Sequence, residues 1–101
     1  MIYVIASVHV TPGKRAEFLG IFNANLPEVR AEKGCIEYFP AVDAAADIPP
    51  QVLDEDEVTI LERWESVEAL LAHLSAPHML AYREKVADVV ESVSIKVLRE
   101  A

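Results

Sequence analysis

The chain has 101 residues, an apolar fraction of 52% and a formal net charge of −8. This length predicts a single domain over residues 1–101 with a modest core. The acidic net charge excludes nucleic acid and anionic membrane surfaces as expected partners, because both bind basic patches. Cys35 is the only cysteine, and no signal-peptide pattern or apolar run of about 18 residues occurs, so we expect a cytoplasmic protein without disulfides or membrane spans.

The first half of the chain predicts a strand, a helix and a second strand. Residues 2–10 are dense in β-branched side chains, which is typical of a strand. Residues 14–33 carry apolar side chains at helical spacing, with Pro27 expected to kink the helix and Gly34 expected to end it. Residues 35–43 form the second predicted strand. The apolar stripe of the helix is Leu19, Phe22, Leu26 and Val29.

The second half predicts a long connection, a strand, two short helices and a last strand. The connection at 44–56 is unusually long for a small domain, and such segments often cover a site or a neighbouring subunit. After the strand at 57–65, Ser66 is a good N-cap and Pro77 breaks the helical pattern and opens a second helix. Residues 92–99 form the last strand. The predicted buried stripes are Val67, Leu70, Leu71 and Leu74 in the first helix, and Leu80, Val86, Val89 and Val90 after Pro77.

This order of elements, βαββαβ, predicts a ferredoxin-like α+β fold. Its four-stranded antiparallel sheet should carry the helices on one face. The other face should be polar if it meets water, yet the pattern places Tyr3, Ile5, Leu61 and Leu98 there. We therefore predict that a second copy covers this face, giving a two-fold homodimer with an α+β barrel.

Aromatic and imidazole side chains cluster between the third strand and the second helical pair. Trp64 and His73 could sandwich a flat ring, and a neutral histidine in an apolar pocket can accept a proton from a phenolic hydroxyl. His78 and Tyr82 are four residues apart and share a helical face, while Tyr38 projects from the second strand. An ordinary core role is the alternative for Trp64 and both tyrosines, and backbone bonding at a helix start is the alternative for His78.

Metal and nucleotide sites are not predicted. The two histidines, His73 and His78, are five residues apart with Pro77 between them, and no cysteine or carboxylate pattern completes a zinc site. The three glycines are scattered, which excludes a phosphate-binding loop, and no nucleophile elbow surrounds a serine. We therefore expect no metal and no flavin or nucleotide cofactor.

Several short motifs together give the chain a family resemblance. They are Thr11-Pro12-Gly13-Lys14, Gly34-Cys35 with Tyr38, Trp64-Glu65-Ser66, Ala72-His73-Leu74, Pro77-His78-Met79 and Ala81-Tyr82. With them the chain resembles the antibiotic biosynthesis monooxygenase (ABM) superfamily, and within it the small bacterial quinol monooxygenases. The resemblance implies a dimeric ferredoxin-like barrel that oxidises a quinol-like or phenolic aromatic with O₂ and without a cofactor. It also implies His73 and His78 as catalytic candidates, and Tyr38, Trp64 and Tyr82 as substrate-binding candidates.

Other activities occur on this fold. Haem-degrading members of the superfamily place an Asn, a Trp and a His where this sequence has Ser7, His73 and Arg83, so the resemblance disfavours haem degradation. Two other function classes stay open at this point. One is a non-oxidative isomerase or processing enzyme for a small oxygenated metabolite, and the other is a binding or stress-response module without turnover.

Overall fold

The predicted arrangement of strands and helices is present in the structure, a computed structural model that describes all residues 1–101. The elements are β1 (Ile2–Val10), α1 (Arg15–Arg30), β2 (Cys35–Ala41), β3 (Glu57–Trp64), α2 (Val67–Leu74), α3 (Pro77–Val86) and β4 (Val90–Leu98). The strands form one antiparallel sheet in the order β2-β3-β1-β4. The ferredoxin-like α+β fold is thereby confirmed.

The two central strands supply the floor of the core. Directly paired residues of an antiparallel sheet point to the same face, and Ala6 pairs with Ile60 while Val8 pairs with Val58. These side chains are buried beneath the helices. The next helix-facing position on β3 breaks the apolar row, because it is Glu62, a carboxyl that is also buried.

The long helix α1 packs on the sheet through aromatic side chains. Phe18 and Phe22 are buried on its inner face, and the Phe22 ring stacks on Tyr38 of β2 with a centroid distance of 5.6 Å. Phe22 also meets Tyr82 of α3 edge to face at 6.0 Å. The helix continues through Pro27 to its end at Arg30. These ring contacts join α1, β2 and α3 into one core.

The two short helices turn different faces to the core than the apolar pattern predicted. Ser66 caps α2 as expected, since its Oγ accepts a hydrogen bond from the backbone N–H of Ala69 at 3.1 Å. Leu70 is buried, but the other inward residue is His73, whereas Leu71 is 57% exposed. The prediction for Leu71 was therefore wrong. In α3 the buried residues are Met79 and Val86. Leu80 of α3 and Val67 of α2 are exposed, so the predictions that these two side chains are buried were also wrong.

The sheet keeps partly exposed apolar side chains on both faces. Val93 and Ile95 of the edge strand β4 pair with Val8 and Ala6 and so face the helix side. They remain 52% and 53% exposed, because no helix covers this edge. On the opposite face the side chains are mixed, and Tyr3, Ile5, Leu61 and Leu98 alternate with polar neighbours.

None of the helices is long and apolar enough to span a membrane.

A long irregular segment, residues 42–56, connects β2 to β3, close to the predicted 44–56. The Asp43 carboxylate accepts a hydrogen bond from the backbone N–H of Asp54 at 2.8 Å, which closes the segment at its base. Within it, the Gln51 side chain bonds both Ala44 and Ala46. The segment therefore has internal order without a helix or strand.

Replacing Gly34 with alanine is expected to destabilise the fold. Gly34 has a φ of +87°, and an added Cβ would lie 2.6 Å from the Cβ of Ala69 in α2. Backbone strain and the clash together should lower the free energy of unfolding by about 3 kcal/mol, measured by urea denaturation. The matched control is Gly20→Ala, at a helical site open to solvent, which should be neutral or stabilising by up to about 1 kcal/mol. Equal stabilities of the two variants would contradict this account of Gly34.

Candidate active site

A cavity of about 420 Å³ lies between the helix-facing side of the sheet and the helices. Most of its walls are apolar, and the ionisable side chains among them are Glu62, His73 and Arg83, together with the hydroxyls of Tyr38 and Tyr82. An apolar hollow with a few converging polar groups is the usual form of a small-molecule site. It opens beside β4, where the half-exposed Val93 and Ile95 belong to its lining.

Two other places on the molecule lack this combination of apolar walls and converging polar groups. A wider hollow of about 710 Å³ lies on the outer face of the sheet beside Tyr3 and Arg63, and no histidine lines it. Also outside the cavity, His9, Asp54 and Glu57 place possible ligand atoms within 4.8 Å of one another. These three side chains are only partly buried, as in an ordinary surface ion pair, so the apolar cavity beneath the helices is the better candidate site.

His73 is fixed in the cavity wall by a carboxylate. Its Nδ1 lies 2.7 Å from Oε2 of Glu32, in the short connection between α1 and β2, and the side chain is 2% exposed. The ring rests against Trp64 with a centroid distance of 4.7 Å and meets Tyr38 at 5.3 Å. A carboxylate accepts a hydrogen bond, so Nδ1 carries the proton and Nε2 keeps a free lone pair. Nε2 makes no hydrogen bond, and His73 is one of the residues that line the cavity.

The surroundings of His73 favour its neutral form. Burial is the largest influence and lowers the pKa of the imidazole below its usual value. The hydrogen bond and the charge of Glu32 act in the opposite direction, while His78 and Arg83 lower the pKa further. The net shift of the pKa is downward, which favours the neutral ring, and a neutral imidazole can accept a proton.

His78, at the start of α3, lies near the same carboxylate oxygen. Its Nε2 lies 3.4 Å from Oε2 of Glu32, but neither ring nitrogen makes an aligned hydrogen bond. The side chain is not among those that line the cavity. Glu32 thus lies between two imidazoles and links the α1–β2 connection to both α2 and α3.

A second buried carboxyl belongs to the cavity itself. Glu62 is 8% exposed, and its Oε1 accepts a hydrogen bond from the indole Nε1–H of Trp64 at 2.9 Å. Burial raises the pKa of Glu62, the bond from Trp64 lowers it in part, and the charge of Glu32 raises it again. The carboxyl therefore holds its proton to a higher pH than an exposed glutamate does.

The two tyrosines remain protonated. Burial is the main cause that raises the pKa of both Tyr38 and Tyr82, so each presents a neutral hydroxyl at physiological pH. Arg83 is exposed, and its Nη2 donates a hydrogen bond to the backbone carbonyl of Leu74 at 2.6 Å. This bond holds the guanidinium where α2 gives way to α3.

The structure brings together only some of the residues that the sequence suggested. Tyr38, His73 and Tyr82 share the cavity lining. Trp64 is fully buried behind His73 and does not reach the cavity surface, and His78 lies beside Glu32 outside the lining. The interpretation of Trp64 as a flat pocket wall is therefore replaced by a supporting position.

Sequence reasoning missed the two carboxyls, Glu32 and Glu62. A signal existed for Glu62, because it interrupts a row of buried apolar residues at alternate positions of β3. No local signal marks Glu32, whose partner His73 is 41 residues away in the sequence.

Comparisons with known proteins agree with this architecture. A model of the family "Antibiotic biosynthesis monooxygenase" matches residues 1–85. The chain is 40% identical over 101 residues to "Probable quinol monooxygenase YgiN" of Escherichia coli (strain K12), covering 98% of this chain and 97% of that one.

Solved structures of other proteins share the fold of this chain. The structure of Rv0793 from Mycobacterium tuberculosis superposes with a TM-score of 0.81 at 30% identity, covering 99% of this chain and 94% of that one. PA3566 from Pseudomonas aeruginosa, at 23% identity, shares the fold with a TM-score of 0.82 over 99% of this chain and 93% of that one. Since the family match spans most of the sequence, the chain belongs to the antibiotic biosynthesis monooxygenase family.

Proposed function

We propose that this protein is a cofactor-independent monooxygenase that oxidises a small quinol-like or phenolic aromatic with O₂. The observation that carries the proposal is His73, which lines an apolar cavity while Glu32 holds its Nδ1 and leaves Nε2 without a hydrogen bond. The name of the Escherichia coli relative, a probable quinol monooxygenase, supports the same substrate class. A deprotonated quinol is itself a good electron donor, so the protein needs to bind the ring, remove a proton and limit the access of water.

The size and lining of the cavity suit a flat aromatic molecule. A volume of about 420 Å³ falls in the range of small-molecule sites, roughly 300–1,000 Å³. Ile60 of the sheet lies on one side, and Phe18 and Met79 of the helices lie on the other. The hydroxyls of Tyr38 and Tyr82 can hydrogen-bond to oxygen atoms of the ring without competing for its protons.

Proton removal begins the proposed reaction. His73 Nε2 accepts the proton of a ring hydroxyl, and the carboxylate of Glu32 stabilises the imidazolium that forms. We assign this step to His73 rather than His78, because His78 is outside the cavity lining; His78 then supports Glu32. The aromatic anion reacts with O₂: one oxygen atom forms a new bond to ring carbon, the other leaves as water, and the quinol becomes a hydroxyquinone.

The reaction can be tested by mixing the protein anaerobically with a reduced naphthoquinone and then admitting air. Hydroxyquinone should form faster than by autoxidation, and His73→Asn should slow it by about 10²–10⁴-fold, because asparagine can donate to Glu32 but cannot accept the proton. His9→Asn, on the outer face of the sheet, is the control and should retain the rate. Equal rates with and without protein would refute the proposal, and product formed without O₂ would favour the non-oxidative class.

The role of Glu32 can be tested through the pKa of His73. Glu32→Gln removes the charge that raises this pKa, so the pKa should fall further below that of a free histidine. The imidazole signals followed by NMR across a pH titration measure the shift. Glu68→Gln, in the exposed first turn of α2, should leave the His73 titration unchanged. An unchanged or higher pKa in Glu32→Gln would contradict the hydrogen bond described here.

We also propose that the protein is a homodimer that pairs through the outer face of the sheet. Sedimentation equilibrium should then give twice the chain mass of 11.2 kDa. Leu61→Glu places a charge on the outer face and should yield monomers, whereas Leu71→Glu, on the exposed side of α2, should not. A wild-type protein that sediments as a monomer would contradict the proposal.

A further inference from the structure

The buried carboxyl of Glu62 has no role in the proton removal assigned to His73. No lysine or arginine pairs with it, and its one hydrogen bond comes from Trp64. A buried carboxyl without a cationic partner destabilises a fold, and apolar residues occupy the neighbouring inward positions of β3. A group kept at such a cost to stability is a candidate for function.

The bond from Trp64 decides which oxygen of Glu62 is available. The indole Nε1–H occupies Oε1 at 2.9 Å, while Oε2 makes no hydrogen bond and belongs to a residue that lines the cavity. The same indole supports the ring of His73 at a centroid distance of 4.7 Å. Trp64 thus holds two proton-accepting groups, Glu62 Oε2 and His73 Nε2, on adjoining parts of one wall.

We propose that Glu62 is a second catalytic acid–base group, which binds the second hydroxyl of a dihydroxy aromatic substrate and accepts its proton. This inference rests on the proposed function and narrows its substrate class from phenols in general to quinols. Oxidation of a quinol to the hydroxyquinone releases two hydroxyl protons and one ring hydrogen. Two of these three hydrogens leave in the water formed from O₂, and the third ends on the new hydroxyl. His73 and Glu62 each relay one hydroxyl proton and return to their starting states.

Other ionisable groups also face Glu62 and bear on its titration. They are Cys35 and Tyr38 from β2, Glu32 before β2, His73 from α2, and Tyr82 and Arg83 from α3. Burial and the charge of Glu32 raise the pKa of Glu62, and the bond from Trp64 lowers it. Removing the hydrogen bond from Trp64 should raise the pKa of Glu62 further, so the direction of the shift can be tested.

A purely structural role for Glu62 would be to satisfy the indole N–H of Trp64. The variant Glu62→Gln separates the two roles, because a glutamine oxygen accepts the same bond but cannot accept a proton. On a reduced naphthoquinone, Glu62→Gln should lower kcat/KM by about 10²-fold. On a naphthol, which has one hydroxyl, the loss should be less than about threefold, because the second site is unused. Glu65→Gln, an exposed glutamate at the end of β3, is the matched control.

The pH profile provides a second readout. The acidic side of kcat/KM for the quinol should contain two protonation steps, one of His73 and one of Glu62. In Glu62→Gln only the His73 step should remain, and in Trp64→Phe, which keeps the carboxyl but lacks the N–H donor, the Glu62 step should move to higher pH. Similar losses on both substrates with both steps retained in Glu62→Gln would overturn the inference. So would an unmoved Glu62 step in Trp64→Phe.

Anaerobic binding separates this inference from the proposed function. Under nitrogen, quenching of the fluorescence of Trp64, the only tryptophan, reports the affinity for the quinol and for the naphthol. Glu62→Gln should weaken quinol binding selectively, and this result would support the role of Glu62 even if no oxidation followed. Equal affinities of wild type and Glu62→Gln for the quinol would overturn the role of Glu62, even if the wild-type protein oxidised it.

Discussion

The hydrogen bond between Glu32 and His73 joins the two halves of the chain at the wall of the cavity. Glu32 follows the first helix, and His73 lies in the second, so the bond joins segments 41 residues apart in the sequence. His78 reaches the same carboxylate from α3. A buried imidazole needs a partner for its N–H, and the partly buried carboxylate of Glu32 supplies the acceptor. Each group therefore satisfies the other, and the free nitrogen of His73 is left toward the cavity.

The two polar side chains that are buried in this core, Glu62 and His73, are each held by a neighbour. The core around the sheet is otherwise apolar and aromatic, and Glu62 is held by the indole of Trp64 as His73 is held by Glu32. Trp64 contacts both sites and is fully buried. A side chain that looks like a substrate platform in the sequence thus acts as the rigid support of two others. Such preorganisation allows a site to act without paying for rearrangement during the reaction.

The sequence predicted what depends on local pattern and missed what depends on distant contacts. Strand alternation in β1 and β3, the Ser66 cap and the break at Pro77 are local signals, and all were read correctly. Leu71 and Leu80 were misplaced because these helices have only two or three turns and α2 carries apolar residues on several sides, so the pattern does not fix which side faces inward. Tyr38, His73 and Tyr82 could be named from residue type and spacing. Glu32 could not, since only the packed fold brings it to His73.

The uncovered strand β4 gives the cavity one wall that differs from the others. Val93 and Ile95 line it, yet about half of each side chain remains in water. Substitutions at half-exposed sites disturb packing far less than those in a filled core. The shape of the cavity can therefore change at this wall, in evolution or by design, through residues that the stability of the domain does not hold in place. The far wall, with His73 and Glu62, is buried and has little freedom to change.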